Sequence, residues 1–305
     1  MDYGRPLEFW ISIVPEAEAR SQNRALVHAA DLNGLDLVGI QDHPYQRRFL
    51  DTWMFIATLL AETERIRIFP DVANLPLRPP PMIAKEAASL DVLSGGRFEL
   101  GLGAGGFWDA IEAMGGPRRA PAEAVSALAE AIEIIRQAWS GARAVQFDGA
   151  FYRAHGYHPG PPPAHNIEIW IGAYKPRMLR LTGRLADGWL PSLGRTSIEQ
   201  LAEKHALIDE GARDVGRDPS ELRRLLNVGG SVGDADGADE GLGSIGRGLG
   251  GSADEWVDRL TAWVIDFGFD TFVFWPAVTA EQQVEAWAGI ASRVRQEVAA
   301  RRAGR

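Results

Sequence analysis

Short apolar runs alternate along the chain with longer stretches in which apolar residues recur every three or four positions. Runs of strand length, several rich in β-branched residues, occur at 7–14, 35–40, 66–69, 97–102, 167–171, 188–191, 222–232 and 271–275. Most are followed by a stretch of helical periodicity, and the clearest is 121–140, where Leu128, Ile132 and Ile135 share one apolar stripe. The pattern predicts eight strands, mostly each followed by a helix.

The helices are predicted at 15–33, 52–64, 82–93, 121–140, 176–186 and 196–215. The last of these begins with a capping-box pattern, Thr196 with Glu199. Ser252 with Glu255 and Thr279 with Gln282 repeat that pattern and predict two further helices.

The segment 65–106 contains a strand, a helix and a second strand, and the rest of the chain repeats this order. Such a unit implies parallel pairing with a right-handed crossover. No linker divides the chain, and 305 residues is a normal length for one α/β barrel. We therefore predict an α/β fold with one domain, residues 1–305: a (β/α)8 TIM barrel with a hairpin-and-loop insertion at about 141–166, after the fourth helix.

The ends of several predicted strands carry polar residues or glycine, at the edge of the sheet where α/β proteins bind ligands. Asp42 and His43 follow the second strand, and Gly103 to Gly106 follow the fourth. A histidine there suits proton transfer or hydrogen bonding, and a neighbouring carboxylate would set its tautomer or bind ligand directly. The alternatives are an ordinary loop histidine and a glycine turn without a ligand.

A possible anion site follows the fifth strand, where Tyr174 and Lys175 precede Pro176. Proline fits the first position of a helix, and the free N–H groups of the next residues would point at an anion. An ordinary helix start with solvated basic residues is the alternative. The glycine-rich segment 229–251 follows the seventh strand and is either a mobile lid or a loop without a role.

Composition narrows the possible partners. The net charge is −9, from 32 Lys plus Arg against 41 Asp plus Glu, so nucleic acid and anionic membranes are poor candidates. The chain has no cysteine, which excludes disulfides, thiolate nucleophiles and Cys-ligated metals, and we expect no metal site. The N-terminus lacks a long apolar region and no run approaches a membrane span, so we expect a cytoplasmic protein.

Several segments together resemble the bacterial luciferase-like flavin-dependent oxidoreductases, particularly the branch that uses the deazaflavin coenzyme F420. The resemblance is carried by 63–68, by 90–98 with 101–105, and by 169–173 with 186–189. It implies a barrel with an isoalloxazine or deazaflavin ring at its C-terminal mouth. Family sugar-phosphate dehydrogenases carry a catalytic Glu where this chain has Gly106, so that activity is not expected here.

The resemblance also implies roles for individual residues. Asp42 and His43 would line the ring, and Asp71, Val72 and Asn74 would form a bulged third strand behind it. The backbone beside the cofactor would come from Gly103, Ala104, Gly105 and Gly106, and its phosphate side would be held by Gly172, Ala173, Tyr174 and Lys175. We further predict a non-proline cis peptide between Asp71 and Val72, with Val72–Ala73 as the second choice of register.

The function that follows from the resemblance is an F420-dependent oxidoreductase that transfers a hydride between the deazaflavin and a small organic substrate. His43, with Asp42, is the expected catalytic pair, and His43 the proton donor or acceptor. The alternatives are an FMN-dependent luciferase-like monooxygenase and a non-catalytic flavin- or deazaflavin-binding protein. We expect a homodimer that takes a small-molecule substrate and binds neither nucleic acid nor membrane.

Overall fold

The computed structural model describes residues 2–194, 196–233 and 248–304 of the chain. The strands are β1 (Glu8–Ile13), β2 (Leu37–Ile40), β3 (Arg67–Pro70), β4 (Ala73–Asn74), β5 (Leu100–Gly103), β6 (Val145–Asp148), β7 (Arg153–Tyr157), β8 (Ile169–Ile171), β9 (Gly188–Trp189), β10 (Arg223–Gly230) and β11 (Thr271–Pro276). All except β6 and β7 form one parallel sheet in the order β3-β2-β1-β11-β10-β9-β8-β5-β4.

This sheet is a closed barrel of eight strands, because β3 and β4 are the two halves of its third strand. The Ile68 N–H in β3 donates to the Arg97 carbonyl at 2.9 Å, and the Glu99 N–H donates to the Ile68 carbonyl at 3.2 Å. These bonds join β3 to the chain entering β5 and complete the ring. The predicted (β/α)8 barrel is confirmed, and the β6–β7 hairpin lies in the predicted insertion.

The helices are α1 (Arg20–Leu32), α2 (Thr52–Glu62), α3 (Pro80–Ser94), α4 (Trp108–Ala113), α5 (Pro121–Trp139), α6 (Pro176–Leu185), α7 (Ile198–Ala202), α8 (His205–Arg213), α9 (Ala253–Ile265) and α10 (Glu281–Ala303). Short 3-10 turns occur at Leu75–Leu77 and Pro219–Glu221. Among the residues described, no helix combines the length and apolarity needed to cross a membrane.

Some predicted helix boundaries are wrong. The stretch 196–215 holds two helices, α7 and α8, and the capping box of α7 is Ser197 with Gln200. The residue before α10 is Ala280, which offers no capping side chain, so Thr279 does not cap it. The first helix begins at Arg20 and not at 15, and α4 was not predicted. The capping box of Ser252 and Glu255 is confirmed.

Residues two apart on each barrel strand point to the same side of the strand. The side chains that point inward form layers along the barrel axis, and these layers differ in polarity. At the amino end, Arg67 bridges Glu8 at 2.7 Å and Glu99 at 3.0 Å. The middle is apolar and consists of a buried cluster of Trp10, Leu37, Phe69, Trp170, Leu190, Leu225, Val273 and Trp275. At the carboxyl end the inward positions become polar or glycine, which leaves space for a ligand.

Candidate active site

A cavity of about 320 Å³ opens at the carboxyl ends of the barrel strands. Eleven of the thirteen residues expected at a cofactor line it: Asp42, His43, Asp71, Val72, Asn74, Gly103, Ala104, Gly105, Gly106, Gly172 and Tyr174. Ala173 and Lys175 do not. Ala173 is buried behind the cavity, where its carbonyl accepts the Trp189 indole N–H at 2.8 Å, and Lys175 is exposed. Residues 234–247 of the glycine-rich segment lie outside the described residues. The prediction of a lid falls on these residues.

Asp42 is buried at the end of β2 and only half satisfied. Its Oδ2 accepts the Asn74 N–H at 3.0 Å, whereas Oδ1 has no hydrogen-bond partner within the described residues. The nearest cation is Arg78, whose Nη2 lies 4.0 Å from Oδ1. Burial raises the pKa of Asp42, and the Asn74 N–H, Arg78 and the nearby Thr52 hydroxyl oppose that shift. The Thr52 hydroxyl donates its one hydrogen to the Gln41 carbonyl at 2.7 Å, so Oδ1 is left without a donor among the described residues. A buried acceptor in a cavity wall that lacks a donor can accept a hydrogen bond from an N–H group of a ligand.

His43 stands at the mouth of the cavity among aromatic rings. Its imidazole stacks on Tyr45 with ring centroids 5.4 Å apart and meets the edge of Phe107 at 5.2 Å. Burial lowers the pKa of His43 below its usual value. The imidazole is therefore mostly neutral at pH 7, with one nitrogen able to donate and the other able to accept a proton.

The junction between β3 and β4 forms one wall. The peptide between Asp71 and Val72 is cis, as the first choice of register predicted. The Val72 side chain is partly exposed in the cavity and reaches over β5, where two glycines make room for it. A Cβ added to Gly103 would lie 2.8 Å from Val72 Cγ2, too close for a real contact. The valine therefore offers an apolar surface to a flat ligand.

The loop after β5 brings backbone to the rim. Gly105 has φ +101°, a conformation that side chains disfavour. A Cβ there would also meet Pro76 Cγ at 2.7 Å and Trp108 Cη2 at 2.8 Å. Gly106 has open space around its Cβ position. Glycine is required at 105, and Gly106 leaves that part of the rim without a side chain.

The start of α6 lies on the opposite side from His43. Lys175 precedes the helix, Pro176 is its first residue, and no side chain among the described residues caps the free N–H groups there. The Tyr174 hydroxyl accepts the Ser192 N–H at 2.7 Å, which holds the loop after β8. Arg177 turns away and donates to Ser126 Oγ at 2.8 Å. The helix start keeps the donors that an anion would use.

Nine residues that line the cavity were missed by the sequence analysis: Gln41, Tyr45, Ala73, Phe107, Met178, Leu190, Ser192, Asn227 and Trp275. Asn227 carried a usable signal, because it interrupts the buried strand β10 two positions after Leu225, where period two places it inward. Phe107 directly follows the predicted site residue Gly106, and Tyr45 lies two positions after His43. Trp275 had no distinguishing signal in an apolar strand.

No cluster of three or more His, Asp or Glu side chains that could bind a metal occurs in the part of the chain that the structure describes. The site is thus a cavity with an apolar wall, a neutral imidazole, unfilled acceptors and a free helix start. On a (β/α)8 barrel this combination suits a planar ligand with an anionic tail at the carboxyl ends of the strands.

The chain belongs to the luciferase-like monooxygenase family, whose model matches residues 7–242. It is 32% identical over 213 residues to the 5,10-methylenetetrahydromethanopterin reductase of Archaeoglobus fulgidus. That match covers 69% of this chain and 60% of the relative. It is also 32% identical over 210 residues to an F420-dependent glucose-6-phosphate dehydrogenase of Nocardia farcinica, covering 65% and 61%. The chain thus spans about three fifths of each relative's length.

The fold of a solved enzyme agrees with this assignment. The coenzyme F420-dependent tetrahydromethanopterin reductase of Methanopyrus kandleri superimposes with a TM-score of 0.79 at 19% identity, over 93% of this chain and 98% of that one. At this identity the likeness establishes the shared barrel and no more.

Proposed function

We propose that this protein is an F420-dependent oxidoreductase that transfers a hydride between the deazaflavin and a small organic substrate. The observation that carries the proposal is Val72, which presents an apolar surface in the cavity beside His43 and the unfilled Asp42 Oδ1. The names of the two curated relatives support the redox class, and one of them specifies F420. When bound, the deazaflavin would supply the hydride chemistry.

The residues present fit such a group. Val72 would support one face of the ring, and the unfilled acceptors Asp42 Oδ1 and Asn74 Oδ1 would take N–H groups from its edge. The backbone of 103–106 would lie beside it. The helix start at Lys175 would hold the phosphate through backbone N–H groups. His43 would give or take a proton on the substrate side, since it is neutral and borders the mouth.

The experiment that tests the cofactor is titration of the ligand-free protein with F420 and with FMN, followed by tryptophan fluorescence. Trp275 lines the cavity, so a bound ring is expected to quench emission. We expect F420 to bind at least about tenfold more tightly than FMN, a difference of about 1.4 kcal/mol. Tighter binding of FMN would instead favour a monooxygenase of the same fold. Binding without turnover of any electron acceptor would favour a non-catalytic carrier.

The localisation, oligomeric state and partners of the protein are also proposals. We propose a cytoplasmic homodimer that acts on a small molecule and takes no nucleic acid or membrane partner, and the net charge of −9 supports the exclusion of polyanions. Sedimentation of the purified protein tests the dimer, and a monomer at micromolar concentration would contradict it.

A further inference from the structure

A series of hydrogen-bonding side chains lies under the cavity and joins four barrel strands. The Trp275 indole N–H donates to Asn227 Oδ1 at 2.8 Å. The side chain of Asn227 also lies beside Asp71, and because its oxygen is already used, its NH2 group is the donor that Asp71 accepts. On the other side, Ser12 Oγ is 3.1 Å from Asp71 Oδ2 and 3.1 Å from the Gly39 carbonyl. Asp71 and Ser12 are almost fully buried.

Counting hydrogens assigns the protonation state of Asp71. The Ser12 hydroxyl has one hydrogen and therefore donates to either Asp71 or the Gly39 carbonyl, not to both. If Asp71 carries a proton, it donates to Ser12 Oγ, Ser12 donates to Gly39, and Asn227 donates to the other Asp71 oxygen. Both Ser12 contacts are then satisfied at once. An ionised Asp71 would leave one of them without a hydrogen.

The surroundings of Asp71 offer no charge to balance a carboxylate. Among the described residues, no Lys or Arg acts on it, and burial raises its pKa to about 7 against the opposing bonds from Ser12 and Asn227. The titratable groups that share the cavity are Asp42 and His43 after β2, Tyr45 beyond them, and Tyr174 after β8. The packed strands β1, β10 and β11 contribute only Ser12, Asn227 and Trp275, and β5 contributes glycine.

We propose that Asp71 is a proton-bearing, neutral acid in the cavity floor, and that a flat ring over Val72 binds to this neutral form. The second half rests on the proposed cofactor function. A ring seated there would remove the remaining water from Asp71, which is 9% exposed, so ionisation would cost more with the ring bound than without it. By linkage, ring binding then weakens as rising pH removes the Asp71 proton.

The test compares wild type with Asp71→Asn, which keeps the size of the side chain and cannot ionise. The dissociation constant of F420 is measured by tryptophan fluorescence from about pH 5.5 to 9. In wild type it is expected to be constant at low pH and then to rise, approaching about tenfold per pH unit. In Asp71→Asn it is expected to vary less than about twofold. A flat wild-type profile, or the same rise in both proteins, would overturn the proposal.

A second measurement needs no cofactor and separates the protonation state of Asp71 from the proposed cofactor. The infrared difference spectrum of ligand-free wild type minus Asp71→Asn is expected to show, at about pH 6, the carbonyl band of a buried protonated carboxylic acid, which disappears with rising pH. The subtraction removes the signal of other buried acids with a raised pKa, such as Asp270. If F420 fails to bind at every pH while this band is present, the proposed cofactor is wrong and the neutral Asp71 stands. If the band is missing at pH 6, the neutral Asp71 is wrong whatever F420 does.

Discussion

The backbone N–H of Asn74 donates to Oδ2 of Asp42 over 3.0 Å, which ties the loop after β2 to the second half of the split third strand. Because one oxygen of the carboxylate is used this way, its orientation is fixed, and Oδ1 is the oxygen left for a ligand. Asp42 thus combines two tasks: it joins two walls of the cavity and presents an acceptor there.

Asp42→Asn is therefore expected to separate these tasks. The amide oxygen keeps the bond to Asn74, while the NH2 group replaces the acceptor with a donor. We expect F420 affinity to fall about tenfold, as for loss of one hydrogen bond to a charged group, and the melting temperature to change little. Fluorescence titration measures the affinity.

Asp51→Asn is the matched control for that variant. Asp51 also pairs with Arg78, at 2.7 Å, and caps α2, a role that asparagine fulfils equally well. It lies outside the cavity lining, so the same loss of charge beside the same arginine is expected to leave affinity within about twofold. Equal losses in both variants would assign the effect to the Arg78 neighbourhood and not to the Asp42 acceptor.

His43→Gln is expected to lower turnover about a hundredfold, as is typical when a general acid or base is removed. The melting temperature should stay within a few degrees, since the side chain stands at the rim. The wild-type pH profile carries a second signature. Burial lowers the pKa of His43, so activity that needs the neutral imidazole should fall only below about pH 6.5. Steady-state rates across pH check both, and unchanged turnover would remove the proposed role.

A buried charge cluster at the other end of the barrel predicts a pH dependence of stability. His165 Nδ1 lies 2.7 Å from Asp91 and its Nε2 3.2 Å from Glu99. Hydrogen bonds to Asp91 and then Glu99 raise the pKa of His165 to about 10. A raised pKa in the folded state means that the stabilisation is complete below the unfolded value of about 6.5 and is lost as pH rises through about 10.

Wild type and His165→Gln should therefore differ most in unfolding free energy at about pH 6, and the difference should shrink between about pH 6.5 and 10. At about pH 6 we expect a loss of about 2 kcal/mol, because Asp91 and Glu99 stay buried with fewer partners. Denaturant unfolding at several pH values measures it. His28→Gln is the control, since the His28 side chain on α1 is partly exposed and its Nε2 lies at the longer distance of 3.9 Å from Oε2 of Glu62. Parallel profiles for wild type and His165→Gln would contradict the assignment.

Lys175→Glu tests the start of α6 as the phosphate site. A carboxylate there would compete with the phosphate for the free N–H groups, reduce the positive potential of the helix N-terminus and repel the phosphate, so F420 affinity should fall about tenfold or more without loss of fold. Arg184→Glu makes the same charge change in the last turn of the same helix, far from its start, and should leave affinity unchanged. Equal weakening by both substitutions would point to a general charge effect and not to a local site.

Most of the architecture was predictable because each barrel strand is a short buried run with its own turn signal. The features that could not be predicted depend on contacts between strands that are distant in sequence. Period two places Ser12 and Asn227 inside the barrel, but nothing local shows that closure brings both to Asp71. The break between α7 and α8 falls at Glu203 and Lys204, good helix formers with helical backbone angles, so the sequence carries no breaker.

The approach of β5 to the split third strand gives the last prediction. Gly101 lies under the junction of β3 and β4, and a Cβ at this position would be 2.3 Å from the Pro70 carbonyl oxygen and 3.0 Å from Val72 Cγ1. The closest atom is backbone, so Gly101→Ala cannot be relieved by a rotamer change alone. We expect a loss of about 1–3 kcal/mol, several degrees in melting temperature, together with weaker F420 binding because Val72 must move.

Gly289→Ala is the control, because it adds the same methyl group on α10, outside the cavity lining, where no heavy atom lies within 4 Å. Its affinity for F420 should equal that of wild type, and its melting temperature should be equal or slightly higher, since alanine suits a helix interior better than glycine. Thermal unfolding and fluorescence titration of the two variants separate the causes. A lower melting temperature with unchanged affinity in Gly101→Ala would show that the ring does not rest on Val72, whereas loss of both would show that the wall formed by Pro70 and Val72 carries stability and ligand together.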